Sequence, residues 1–224
     1  MMKKINIAID GPSAAGKSTI AKRLAQVLQY SHLDTGAMYR CCALKVKQLG
    51  LARNDEAAIA AMLKQTTIQV HPDGTVYLDG TDVSKEIREH DISMLASDIS
   101  KLPLVRAQLV RQQQEMAKEK GFILDGRDIG SVVLPDAELK IFQTASVKTR
   151  AKRRHLEMLQ KGIACTLEEI EEDIQLRDEQ DSIRAASPLR QVDDAIVLDT
   201  SDCTIEEAVQ KIIALVHHML EQES

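Results

Sequence analysis

Gly11-Pro12-Ser13-Ala14-Ala15-Gly16-Lys17-Ser18 follows the spacing GxxxxGK[ST], with Thr19 directly after it. Each residue type in that spacing has a task in holding phosphate. Gly16 lets the backbone approach an oxyanion with no Cβ in the way. Successive N–H groups turn inward, and the start of a following helix adds positive potential. Lys17 supplies a point charge to the β and γ phosphates, and Ser18 offers a hydroxyl to Mg²⁺. A glycine-containing turn can match this spacing by chance, so the flanking elements decide. Residues 5–9 are apolar and β-rich, and from Lys17 onward Ile20, Leu24, Val27 and Leu28 fall on one helical face. Strand, loop, helix is the order that phosphate binding requires.

Three further segments carry acceptor chemistry. Leu33-Asp34-Thr35-Gly36-Ala37-Met38-Tyr39-Arg40 reads either as a loop and helix start or as a phosphate contact through Thr35 and Arg40. Asp125-Gly126-Arg127-Asp128 sits at the carboxyl end of a short buried strand, where open parallel sheets bind ligands. Asp125 is placed to hold Mg²⁺ through water, Arg127 suits phosphate, and Asp128 suits an exocyclic amine. The bland alternative is a tight turn with a solvated ion pair. Arg150, Arg153 and Arg154 recur at i, i+3, i+4, so the spacing predicts three guanidiniums on one helix face awaiting an anion. A solvated face balanced by the acids of 168–173 competes with that reading. Arg177, Asp181 and Arg184 follow at one-turn spacing, which is common on exposed helices.

The positioning elements are read from periodicity. Helices are expected over 37–49, from a cap at Asn54 to about 65, from Pro103 to 120, and over 146–182 with a break near Gly162. Thr166 with Glu169 forms a capping box that restarts the last of these, and Thr204 with Glu207 caps a final helix. Strands are expected at 122–124, 139–142 and 195–198. Two β-branched runs, 66–70 and 75–78, flank His71-Pro72-Asp73-Gly74 and read as a hairpin. Alternating strands and helices predict an α/β fold with a parallel sheet covered on both faces. The hairpin reads as a small lobe inserted at about 66–97, within one domain over 1–224.

Composition narrows the classes. The 224 residues carry 29 basic and 34 acidic side chains, a formal charge of −5, with 2% aromatics and no Trp. Non-specific nucleic-acid binding and base-stacking platforms are not expected. No apolar run nears the roughly 20 residues that span a bilayer. Residues 5–9 are too short for a signal peptide, so a cytoplasmic location and no membrane partner are expected. Cys41, Cys42, Cys165 and Cys203 lack CxxC spacing and read as reduced packing residues. The six histidines show no metal-ligand spacing. No guanine-reading NKxD-type motif occurs, and the chain is short for an ATPase motor, which leaves a small phosphotransferase.

Together IAIDGPSAAGKST, LDTGAMYR, LASDISKLPLVR, ILDGRDIGSVVLPDAELKIF, the TRAKRR run and RDEQDSIRAASPL resemble the bacterial cytidylate kinase family of nucleoside monophosphate kinases. The resemblance covers residues 7 to about 209. It implies a P-loop α/β/α fold with an inserted monophosphate-binding lobe and a helical lid over about 150–180. It implies ATP and Mg²⁺ as cofactors, with nucleotide held by Gly11, Pro12, Ser13, Ala14, Ala15, Gly16, Lys17, Ser18 and Thr19. The metal would lie at Ser18 and Asp125, and CMP or dCMP would be the acceptor. Ser97, Arg106 and Asp128 match cytosine-reading positions. Thr35, Arg40, Arg127 and Arg184 match acceptor-phosphate positions, and Arg177 and Asp181 match ribose positions. Arg150, Arg153 and Arg154 match the lid, and these with Lys17 and Arg127 would be the catalytic groups. A monomer is implied. Family members often carry Gly at position 14, Gly or Ser at 18 and Ser at 35; Thr35 keeps the hydroxyl, while Ala14 adds a methyl to the loop. An acid at 128 would accept from the N4 amine of cytosine and be poorly paired against uracil.

Overall fold

The computed structural model describes residues 4–71, 73–160 and 162–222. The basic start at 1–3 and Pro72 of the expected turn lie outside them. Five parallel strands form one sheet in the order β2-β6-β1-β7-β8. They are β1 (Ile7–Asp10), β2 (Ser31–Asp34), β6 (Phe122–Gly126), β7 (Leu139–Thr144) and β8 (Ile196–Asp199). β1 is buried along its whole length, as a central parallel strand must be. The chain leaves β1 toward one side to make β2 and β6, then crosses to make β7 and β8. The loop after β1 therefore opens at the point where the strand order reverses.

Helices α1 (Lys17–Leu28) and α8 (Ile205–Gln222) cover one face. Ile20, Leu24, Val209, Ile212 and Val216 pack there against Ile7, Ile9 and Ile141. Val27, expected on the buried face of α1, is 48% exposed. The 3.6-residue period carries it beyond the strip that α8 and the sheet can cover. On the other face lie α2 (Thr35–Leu49), α3 (Glu56–Lys64), α4 (His90–Ile99) and α5 (Pro103–Met116).

The inserted segment is a three-stranded antiparallel sheet of β3 (Ile68–Val70), β4 (Val76–Leu78) and β5 (Thr81–Asp82). Periodicity gave the hairpin but not β5, which has only two residues. Ile68, Val76, Leu78 and Val83 share one apolar core with Met38 of α2, Ile59 of α3 and Leu109 of α5. The small sheet is thus built onto the same core as the helices around it.

Several boundaries differ from periodicity for local reasons. The third helix is capped by Asp55, not Asn54: the Asp55 carboxylate accepts from Ala58 N–H at 3.0 Å. α5 stops at Met116 rather than 120. Asn6 Nδ2 donates to the Ala117 carbonyl at 2.9 Å, and Asn6 Oδ1 accepts from Phe122 N–H at 3.1 Å. One side chain of the β1 lead-in thus closes the helix and starts β6. α6 (Val147–Gln160) and α7 (Leu167–Ile183) are separate helices, and the Thr166–Glu169 capping box is formed. The pair at Thr204 and Glu207 is formed as well. Cys41 and Cys42 are fully buried, and burial pushes both thiols up to about 12, which leaves them as packing groups. No helix among the described residues is long and apolar enough to cross a membrane.

Candidate active site

The phosphate loop is shaped by contacts from β7. Gly11 has φ +151°, and a Cβ there would stand 1.9 Å from the carbonyl oxygen of Gln143. The Gln143 amide donates to the Ala15 carbonyl at 2.6 Å. Gly16 turns the chain into α1 with φ +88°. Ala14 also takes a left-handed conformation, φ +56°, which costs an L residue roughly 1–2 kcal/mol. Glycine at this position would avoid that cost.

Lys17 is 5% exposed and folds back over the loop, its Nζ donating to the Gly11 and Pro12 carbonyls at 2.8 and 2.7 Å. Burial, reinforced by the Arg127 guanidinium, pushes it down to about 7. Ser13 is held from the lid side. Its N–H donates to Asp178 Oδ1 at 3.0 Å, and its carbonyl accepts from Arg150 Nη1 at 2.9 Å. Arg150 and Asp178 are themselves paired at 2.6 Å. A carboxylate of α7 therefore takes a backbone N–H of the very loop that is built for anions.

Four acids gather at the carboxyl ends of the strands. Asp10 is buried and accepts from the Ile129 and Gly130 N–H groups at 2.8 Å each. Burial nonetheless pushes it up to about 6. Asp34 caps α2 through Ala37 N–H at 2.9 Å and pairs with Arg40 at 2.9 Å. Burial alone would raise Asp34, but Arg40 and the cap reverse this and hold it below the usual carboxylate range. Asp125 splits its two oxygens: Oδ2 accepts from Ser18 Oγ at 2.6 Å and Oδ1 meets His32 Nε2 at 2.6 Å. Thr35 Oγ1 donates to the Asp125 carbonyl at 2.7 Å.

The fourth acid, Asp128, belongs to a connected ion network. Its Oδ2 pairs with Arg106 Nη2, and its Oδ1 stands 3.8 Å from Arg184 Nη2. Arg184 reaches Asp181 at 3.8 Å, and Asp181 holds Arg127 Nε at 2.6 Å. The Arg106 guanidinium lies 5.6 Å from the centre of the Tyr39 ring. Within this network Tyr39 Oη, Arg184 Nη2 and, beside Asp34, Arg40 Nε are buried without a hydrogen-bond partner. Buried donors left open are costly. Here they are open to a hydrogen-bonding ligand.

The fold thus brings Lys17, Ser18 and Asp125 together at the loop, and Arg106, Arg127, Asp128, Asp181 and Arg184 into one network. Thr35 stands beside Asp125 and Arg40 beside Asp34. Ser97 lies half-buried on α4, where its carbonyl accepts from Ser100 Oγ at 2.8 Å and its side chain makes no hydrogen bond. Arg177 stands apart, with Nη2 3.8 Å from Met94 Sδ and Nε 3.7 Å from Asp173.

The three arginines of α6 do not converge as their spacing predicts. Arg150 is buried against the phosphate loop. Arg153 donates to the Thr200 carbonyl at 2.5 Å, and Arg154 is exposed beside Glu157 at 3.1 Å. Helical period sets where the α-carbons lie, but a five-donor guanidinium on a long stem goes to whichever acceptor is nearest. Periodicity also passed over His32, Asp178, Gln143 and the whole of β2. Asp10 had a usable signal, since it is an acid at the carboxyl end of a strand that the sequence does show.

A sheet with its phosphate loop at the reversal point and charged groups at the same edge defines a P-loop phosphotransferase fold. A gluconokinase from Sinorhizobium meliloti shares it at a TM-score of 0.52 and 13% identity, over 98% of this chain and 95% of that one. An uncharacterized protein from Eubacterium ventriosum does so at 0.55 and 14%, over 96% and 99%. The chain belongs to the cytidylate kinase family, whose model matches residues 7–218. It is 51% identical to the cytidylate kinase of Caldicellulosiruptor bescii over 99% of this chain and all of that one. The cytidylate kinase of Bacillus cereus is 48% identical over 96% of this chain and 97% of its own.

Proposed function

We propose that the protein transfers the γ-phosphoryl group of ATP to CMP or dCMP, giving CDP or dCDP and ADP. The observation that carries the acceptor half is the buried Asp128 carboxylate. Its Oδ2 is engaged by Arg106, while Oδ1 has its nearest cation 3.8 Å away and keeps lone pairs free. That is the acceptor a cytosine N4 amine requires. Arg40, Arg127 and Arg184 are the groups for the acceptor phosphate, and Arg177 and Asp181 those for the ribose. Ser97 of α4 is the further group assigned to the base pocket.

An oxygen of the acceptor phosphate attacks the γ-phosphorus, the bond to the β–γ bridging oxygen breaks, and ADP departs with the electron pair. That oxygen is already anionic, so no base is needed. Positioning and charge neutralisation carry the reaction. Lys17 and Arg127 spread positive charge over the transferring group. Arg150 and Asp178 hold the loop until polyphosphate takes the Ser13 N–H. Arg153 and Arg154 join the lid only if its closure frees them from Thr200 and Glu157.

The metal reading rests on the donor set. A serine hydroxyl and a carboxylate, both hard oxygen donors, are paired at 2.6 Å with Ser18 open to solvent. That suits Mg²⁺, which keeps several waters and few protein ligands. When bound, Mg²⁺ would be held by Ser18 and Asp125 and would neutralise phosphate charge at the mouth of the loop.

A coupled ADP-release assay with CMP, dCMP, UMP and AMP tests the function. Turnover with CMP and dCMP far above the others is expected. Turnover confined to another acceptor would overturn the cytosine pocket, and none with any acceptor would overturn the kinase reading.

Lys17 gives a pH signature. An unfolded lysine titrates near 10.5 and Lys17 in the free fold near 7, so between these values the folded chain binds fewer protons. Its destabilising contribution is greatest below pH 7 and fades as pH rises to 10.5. Polyphosphate beside the ammonium restores the charge. ATP binding at pH 8 should therefore take up roughly half a proton or more. Calorimetry in buffers of different ionisation heat measures it, and proton release instead would contradict the assignment.

A further inference from the structure

His32 has no place in the phosphate chemistry described so far, yet it is tied to its centre. It lies on β2, two residues before Asp34, which pairs across to Asp125 on β6. The two side chains are 10% and 5% exposed, and the His32 Nε2 to Asp125 Oδ1 distance is 2.6 Å. The opposite oxygen of the same carboxylate accepts from Ser18. Thr35 holds the Asp125 backbone carbonyl but not the carboxylate. The terminal torsion of an aspartate is soft, so backbone placement alone does not decide which way its oxygens point. His32 and Ser18 together do.

We propose that His32 is a positioning residue for the metal-binding carboxylate: its Nε2 holds Asp125 Oδ1 so that Oδ2 stays aimed at Ser18 and the mouth of the phosphate loop. The proposal rests on the reading of Ser18 and Asp125 as the Mg²⁺ donors. His32 acts through Asp125 and touches neither nucleotide. Its ring also lines a shallow cavity with Lys22, Gln26 and Tyr30, so other side chains of similar size can be accommodated there. Outer partners that orient a metal-binding carboxylate typically matter by 10- to 100-fold in metal affinity.

The test is calorimetric titration of ATP into the free protein, with no acceptor present, with and without Mg²⁺. The readout is the factor by which Mg²⁺ strengthens ATP binding. His32→Leu should cut that factor about tenfold or more, while metal-free ATP binding and CMP binding stay as in the parent. His32→Gln, whose amide reaches about as far as Nε2, should retain most of it. An unchanged factor in His32→Leu overturns the proposal, and so do equal losses in Leu and Gln variants that melt like the parent. If His32→Leu does not fold, His32→Asn takes its place, because its shorter amide falls short of Asp125. Ser18→Ala and Asp125→Asn serve as references. If neither changes the factor, the metal reading itself fails. If both do and His32→Leu does not, only the positioning role fails.

Discussion

Lys17→Met will lower turnover by about 10²–10³-fold, the usual effect of removing one preorganised charge from a transferring group, with little change in melting temperature. Methionine keeps the apolar stem that fills the space under the loop. What is lost is the ammonium, which the free protein holds at a cost: it is 5% exposed and pushed down to about 7. The Gly11 and Pro12 carbonyls lose a donor, which offsets part of the gain from removing a buried cation. The two measurements are kcat with saturating nucleotides and a thermal melt. Near-parental kcat would remove Lys17 from the chemistry, and a large drop in melting temperature would mean that its contacts to the loop are structural.

The second large effect belongs to Asp128. A site built to hydrogen-bond one edge of its substrate rejects the analogue lacking it by roughly 10⁴-fold or more. Asp128→Asn should collapse most of the CMP-over-UMP preference in kcat/KM, because an amide can turn its N–H₂ toward the uracil O4. Asparagine is the informative change. Alanine would leave Arg106 and Arg184 facing an empty site, and unpairing a buried ion network costs about 3–5 kcal/mol. Loss of stability would then obscure loss of selectivity. ATP affinity should be unaffected, since the Asp128 carboxylate pairs with Arg106 and Arg184 and forms no hydrogen bond or ion pair with the phosphate loop. A CMP-to-UMP ratio that survives in a folded Asp128→Asn protein would assign base reading elsewhere.

Much of this architecture was legible because its signals are local. The Gly-rich spacing stands between a strand and a helix, and the capping box at Thr166 and Glu169 is a four-residue pattern. The short apolar run before Asp125 is a buried strand in any parallel sheet. What escaped is what tertiary structure decides. β2 opens with Ser31 and His32 and ends on Asp34, so four residues with three polar side chains gave no strand period. The importance of His32 exists only through the register of β2 on β6. Arg150, Arg153 and Arg154 share a face by spacing, yet their guanidiniums end on the Ser13 carbonyl, the Thr200 carbonyl and Glu157. Asp178 is one acid among many in a charged helix, and nothing local distinguishes it from its neighbours.

The apolar cores of the molecule are unequal, and this has a consequence for its motions. The inserted sheet shares a broad core with α2, α3 and α5, so it should melt in step with the body of the protein. Among the described residues, the pair α6 and α7 encloses only Ala151, Ile170 and Ile174 as buried apolar residues. Segments with so small a buried reserve open locally at free energies well below that of global unfolding. Their attachment to the rest relies on Arg150 and Asp178 at the Ser13 backbone, on Arg153 at Thr200 and on Asp181 at Arg127. The first of these contacts involves the group that incoming phosphate would claim. The α6–α7 pair is therefore tied down more by polar links than by apolar packing, and on the proposed function arrival of nucleotide would exchange one set of restraints for another without melting any core.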